Sequence, residues 1–249
     1  IRGSTPEERE QAYVDYASTA GRDDAREGRW FDREADRHVV DAPGFVIDAH
    51  VVTQAQYAEF VVATGHRVPT MDAQTWKAQG FIQDYDRDVV PYQWSADGFP
   101  PERAGQPVVL VSYDDAAAYC QWRGDLVGSA RRLPSAVEFE RAARGDDGRA
   151  YPWGHTWDAT KLVSRVGGAT GTAEAGSGGV ASPFGAFDMA GNVFQWTTTE
   201  WGAGKQAVKG SAWEDYAGVG RAASLHGRAR DARHIIVGFR CAADASPVP

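Results

Sequence analysis

No apolar run in this chain approaches the roughly 20 residues that cross a bilayer, so no membrane span is expected. Basic charge is also short: 26 Lys and Arg stand against 34 Asp and Glu, a net charge of -8. Nucleic-acid binding without sequence preference needs clustered Lys and Arg, and this balance argues against it. No signal-peptide pattern is visible from Ile1 onward; an extracytoplasmic location would imply a leader already removed. No repeat and no linker of domain-boundary character divides the chain, which reads as one domain over 1–249. Cysteine is limited to Cys120 and Cys241. A bridge between them would close most of the domain and add at most about 4–5 kcal/mol. Two buried free thiols are the other reading, and the count alone leaves both open.

Hydrophobic residues make up 43% of the chain, enough for a core of ordinary size. Charged residues at 24%, with a mean hydropathy of -0.45, indicate a soluble globular protein. Nine Trp, 28 Gly and 12 Pro suit a fold with few long helices, in which aromatic side chains fill the core between irregular loops.

Residues 1–40 are dense in charge and predict a surface segment that wraps the domain with little core of its own. Val46, Ile47, Val51 and Val52 predict short strands, as do Val108, Val109, Leu110 and Val111. Thr53 with Gln56, Ser112 with Asp115, and Ser135 with Glu138 each have the spacing of a helix start whose cap and third residue bond reciprocally. Tyr57, Phe60 and Val61 fall on one face of the first of these helices. Ala116, Tyr119, Cys120 and Trp122 share a face of the second; Phe139, Ala142 and Ala143 face inward on the third. Gly65 and Gly145 are stops. Residues 66–106 read as irregular, and the Gly-rich stretch 166–182 as a long surface loop. Gly154, Gly191 and Gly238 stand beside aromatic residues, where backbones are expected to approach closely.

Several blocks, in order along nearly the whole chain, resemble the formylglycine-generating-enzyme family, also called the sulfatase-modifying-factor domain. They include Phe45–Asp48 with Val52–Phe60, Pro107–Trp122, Arg132–Gly145 with Tyr151–Gly154, Pro183–Trp196, Val208–Trp213 and Gly238–Cys241. The resemblance implies an irregular α+β fold related to C-type lectins, with few long elements. It also implies a Cys120–Cys241 disulfide, because some members pair cysteines at these places. A disulfide persists outside the reducing cytosol, so a periplasmic or secreted location is the expectation.

The departures from the family bear on function. Formylglycine-generating members hold copper(I) with two thiolates late in the chain, and Asp215 and Gly220 stand in the matching register. Copper(I) prefers soft sulfur ligands. No copper and no formylglycine chemistry are therefore expected. A second branch uses iron on a His-x-x-x-His-x-Glu cluster. His38, His50, His66, His155, His226 and His234 do not form it, so no iron is expected. Calcium sites are typical of the family; here Asn192, Val193 and Gln195 are the candidate structural site, weakened by Gln where Glu is usual. What remains for chemistry is Trp213, Glu214, Asp215, Arg221, His226 and Arg228. Carboxylates beside a tryptophan suit a proton acceptor. Glu214 is the candidate acceptor, with Asp215 beside it. Trp213 is expected to stack on a substrate that Arg228 also binds, and Arg221 and His226 to orient it. The resemblance to the family's periplasmic pyoverdine-maturation branch, which lacks the copper cysteines, implies an oxidoreductase or maturation factor acting on a small-molecule or peptide-derived substrate. The alternative is a non-catalytic ligand-binding module, lectin-like or of variable-protein type, or an inactive paralogue.

Overall fold

A computed structural model describes residues 1–245. Helix α1 spans Pro6–Ala20 and is followed by the short α2, Asp24–Glu27. Thr5 and Glu8 cap α1 reciprocally, and Gly21 closes it in the left-handed conformation at φ 68°. The N-terminal segment therefore corrects the expectation of little core. Ala12, Tyr13, Tyr16, Ala25 and Phe31 are all buried, and Glu34 is buried with them. The spacing 12, 13, 16 places an apolar stripe on one face of a helix whose other residues are charged.

Strand β1, Phe45–Ile47, pairs antiparallel with β6, Ala242–Asp244, across nearly 200 positions of sequence. Helices α3 (Gln54–Thr64), α5 (Tyr113–Val127) and α6 (Ala136–Arg144) begin at the predicted caps. In each, the cap side chain accepts from the third residue's N–H and that residue's side chain accepts from the cap's N–H. The region 66–106 adds a short α4 (Ala73–Ala78), a π-helical turn at Tyr85–Val89 and two 3-10 turns.

The main sheet has four strands, β2 (Phe194–Gly202), β3 (Lys205–Lys209), β4 (Leu225–Ala229) and β5 (Val237–Gly238), in the order β4-β3-β2-β5. Neighbours β4, β3 and β2 are antiparallel, and β2 runs parallel to β5. Two expected strands are absent. Val52 bonds singly to Phe239 O and Val108 N, and Leu110 sits at φ 60°, which no continuous ladder accepts. The buried valines thus cross the core as extended single chain. Gly238 and Gly191 are where backbones approach: a Cβ would lie 2.8 Å from Val108 O and 2.6 Å from Val163 O. Gly154 differs, because open space surrounds it and its φ of 148° is what requires glycine.

Tyr57, Phe60, Tyr119 and Phe239 form the aromatic centre, with Tyr57 stacked on Tyr119 at 5.8 Å. Cys120 and Cys241 are joined beside it, with a Cα separation of 5.6 Å, and both are fully buried. The disulfide ties α5 to the chain's last strand. Among the described residues no helix is long and apolar enough to cross a membrane.

Candidate functional site

A cleft of about 590 Å³ opens between the loop carrying Ile82, Gln83 and Asp88, the loop carrying Arg165 and Ala169, and the pair Trp213–Glu214. The turn after β3 brings that pair here. Trp213 N–H donates to Asn192 O at 2.9 Å, and Asp215 N–H to Ala212 O at 3.1 Å. Asp215 Oδ2 in turn accepts from Ala212 N–H at 2.7 Å, so the carboxylate closes its own turn.

Glu214 lines the cleft. Both of its oxygens accept from Gln83 Nε2, at 2.9 and 3.0 Å, and its carbonyl accepts from Arg165 Nε at 3.1 Å. Burial pushes its pKa up, while the Gln83 bond and the charges of Arg165 and Arg228 pull it down. Asp215 is pushed up to about 7, first by burial and then by the Glu214 charge, against the Ala212 N–H and Arg228. Asp215 therefore exchanges its proton near neutral pH, and the two adjacent carboxyls are coupled.

The other predicted residues are placed less directly. Trp213 lines the cleft, but at 9% exposure it offers no open ring face for stacking. Arg228 lies behind the carboxylates. Burial lowers its pKa while Asp215 and Glu214 raise it, and its one hydrogen bond among the described residues is Nη1 to Gly227 O at 3.4 Å. His226 and Arg221 are not substrate orienters in this geometry. His226 projects from β4 on the same face as Arg228, at period two, and packs between Phe194 at 5.2 Å and Trp30 at 5.9 Å. Burial lowers its pKa to about 3, so it is neutral. Arg221 pairs with Glu34 at 2.5 Å beneath the N-terminal segment.

The groups that complete the site are Gln83, Arg165 and Ile82, which sequence reasoning missed. They lie in irregular loops where spacing carries no signal. Buried donors and acceptors here are also incompletely paired: Gln83 Oε1, Trp213 Nε1 and Arg228 Nε have no partner among the described residues.

The chain's side chains do not fit copper(I). Both cysteines of the sequence are joined to each other, which leaves no thiolate for a soft ion. Calcium fits poorly at Asn192, Val193 and Gln195. Asn192 Oδ1 accepts from Ala173 N–H at 3.1 Å, Gln195 Oε1 accepts from Arg240 Nε at 2.6 Å, and Gln195 Nε2 donates to Asp188 O at 2.6 Å. The side-chain oxygens that a cation would need are turned to protein donors.

Residues 8–245 match the Sulfatase-modifying factor enzyme 1-like domain. This chain belongs to that family. It is 34% identical over 213 residues to the formylglycine-generating enzyme of Mycobacterium tuberculosis, covering 69% of each chain. It is 32% identical over 193 residues to hercynine oxygenase of Mycolicibacterium smegmatis, covering 72% of this chain and 42% of that relative. Its fold superposes on PvdO from Pseudomonas aeruginosa with a TM-score of 0.65 at 21% identity, covering 81% of this chain and 80% of that one. The irregular α+β fold expected from the sequence blocks is therefore the family's.

Proposed function

We propose that this sulfatase-modifying-factor protein is an extracytoplasmic oxidoreductase or maturation factor that assists oxidation of a siderophore chromophore precursor of pyoverdine type, without copper–thiolate chemistry. The observation that carries the reading is Glu214, a carboxylate with a raised pKa on the wall of the cleft and backed by Asp215. A two-electron dehydrogenation of a dihydroaromatic precursor releases two protons and two electrons. Glu214 accepts a proton from the reacting carbon or nitrogen; the electrons pass to dioxygen, which takes up two protons and leaves as hydrogen peroxide. Gln83 holds the acceptor's carboxylate in place. The joined cysteines support a location outside the reducing cytosol. Calcium at Asn192, Val193 and Gln195 enters the proposal only as a structural ion that would displace the hydrogen bonds described above, and no chemical step depends on it.

A deletion strain should accumulate the reduced precursor, and the wild-type gene, but not Glu214→Gln, should restore the oxidised product. Full restoration by Glu214→Gln at normal protein level would remove Glu214 from the role. The second reading, a non-catalytic binding module, is favoured by one observation: every sulfhydryl is committed to a buried disulfide, which leaves the family's redox ligand set without members here. A deletion strain with no accumulated precursor would select it.

A further inference from the structure

Arg165 stands at the cleft mouth, and among the described residues its guanidinium fork makes no ion pair with a carboxylate. Among the described residues it makes one hydrogen bond, Nε to Glu214 O at 3.1 Å, and its head group lies 5.9 Å from the Tyr216 ring centroid. These contacts fix the head group and leave Nη1 and Nη2 unbonded. The nearby acids are engaged elsewhere. Arg87 holds both oxygens of Asp88 at 2.7 Å, and Gln83 holds both oxygens of Glu214. The charge of Arg165 acts on Glu214 and Asp88 from beyond bonding distance, but no acid occupies its fork, which leaves the two Nη groups open to an anion. Beside it lies apolar surface: Ile82 is 94% exposed, and Trp213 forms the inner wall.

We infer that the cleft takes an aromatic carboxylic acid, its carboxylate received by the Arg165 fork and its apolar body laid along the exposed Ile82 side chain, with the edge of Trp213 closing the cleft floor. The inference rests on the reading of this cleft as the reacting site and names the chemical class of what enters it. One guanidinium with two free N–H groups matches a monoanion with two oxygens. A phosphate dianion next to Glu214 and Asp215 would ask for more positive charge than Arg165 supplies.

The test is calorimetric titration of the whole chain with 3-(3,4-dihydroxyphenyl)propanoate and with its primary amide. The acid should bind at least about tenfold more tightly than the amide, because only the acid forms the charge-assisted pair. Arg165→Met should erase that difference without changing the melting temperature. Arg165→Lys should recover only part of it, because an ammonium lacks the fork. Equal binding of acid and amide to the wild type, binding of neither, or a preference that survives in Arg165→Met would overturn the inference. Failure of the proton-acceptor reading looks different: the acid preference would stand while no precursor is oxidised. Conversely, oxidation that uses acid and amide precursors with the same KM would sink this inference and leave Glu214 in place.

Discussion

The acids beneath the N-terminal segment and those beside the cleft are both enclosed, and their surroundings differ. Beneath the N-terminal segment, Glu140 accepts from Gly3 N–H at 2.7 Å and faces Arg144 and Lys209 at 3.3 and 3.4 Å. Glu34 accepts from Ser4 Oγ at 2.6 Å and from Arg221 at 2.5 Å. Every carboxylate oxygen there has a donor, and three cations surround two acids. Beside the cleft, Glu214 has only the Gln83 carboxamide and Asp215 only a backbone N–H, while Arg228 forms no ion pair with either among the described residues. The first arrangement makes ionised acids part of the architecture. The second leaves charge costly, which is what a proton-exchanging site needs.

The comparison breaks most visibly if the first set proves dispensable. Glu140→Ala leaves Lys209 and Arg144 buried without their acid and should cost about 3–5 kcal/mol in urea unfolding. A loss under about 1 kcal/mol would mean that the network is not structural. The disulfide belongs to the same structural half, and Cys241→Ser should cost about 2–5 kcal/mol, read as a lowered midpoint that reductant reproduces in the wild type. On the other side, Glu214→Gln should lower turnover by about 10²–10⁴-fold while the unfolding free energy holds within about 1 kcal/mol. Destabilisation comparable to Glu140→Ala would place Glu214 with the structural acids.

The smallest expected effect concerns pH. Asp215 is raised in the folded state, from 3.8 to about 7, so the folded chain binds a proton that the unfolded chain has already released. Its contribution is fully present below pH 4 and is lost as pH rises towards 7. Asp215→Asn should therefore be close to neutral at pH 4 and stabilising at pH 8, seen as two stability–pH curves that diverge as pH rises. Parallel curves would contradict the shift.

The helix starts at Thr53, Ser112 and Ser135 were legible in the sequence because capping is local: the residues that satisfy each other lie three apart. The disulfide was legible only through family resemblance, since nothing local joins Cys120 to Cys241. Glu214 and Asp215 were legible as a pair because they are consecutive. Their support was not. Gln83 reaches Glu214 across 131 positions from an irregular loop, and no periodicity marks it. Arg221 and His226 mislead for the same reason. They stand close to Glu214 in sequence, but one is drawn to Glu34 across 187 positions and the other is turned by strand alternation into an aromatic sandwich. The N-terminal segment hid its core contribution because charged neighbours mask the short stripe of Ala12, Tyr13 and Tyr16.

The central claim is that Asp215, beside the cleft and behind Glu214, exchanges a proton near neutral pH. Difference infrared spectroscopy of the wild type against Asp215→Asn, titrated from pH 4 to 9, reads this directly. The account predicts a protonated carboxyl signal that Asp215→Asn removes and that disappears in the wild type with a midpoint near 7. A wild-type carboxyl already fully ionised by pH 5 would contradict it, and would return Asp215 and Glu214 to the class of ordinary solvated acids.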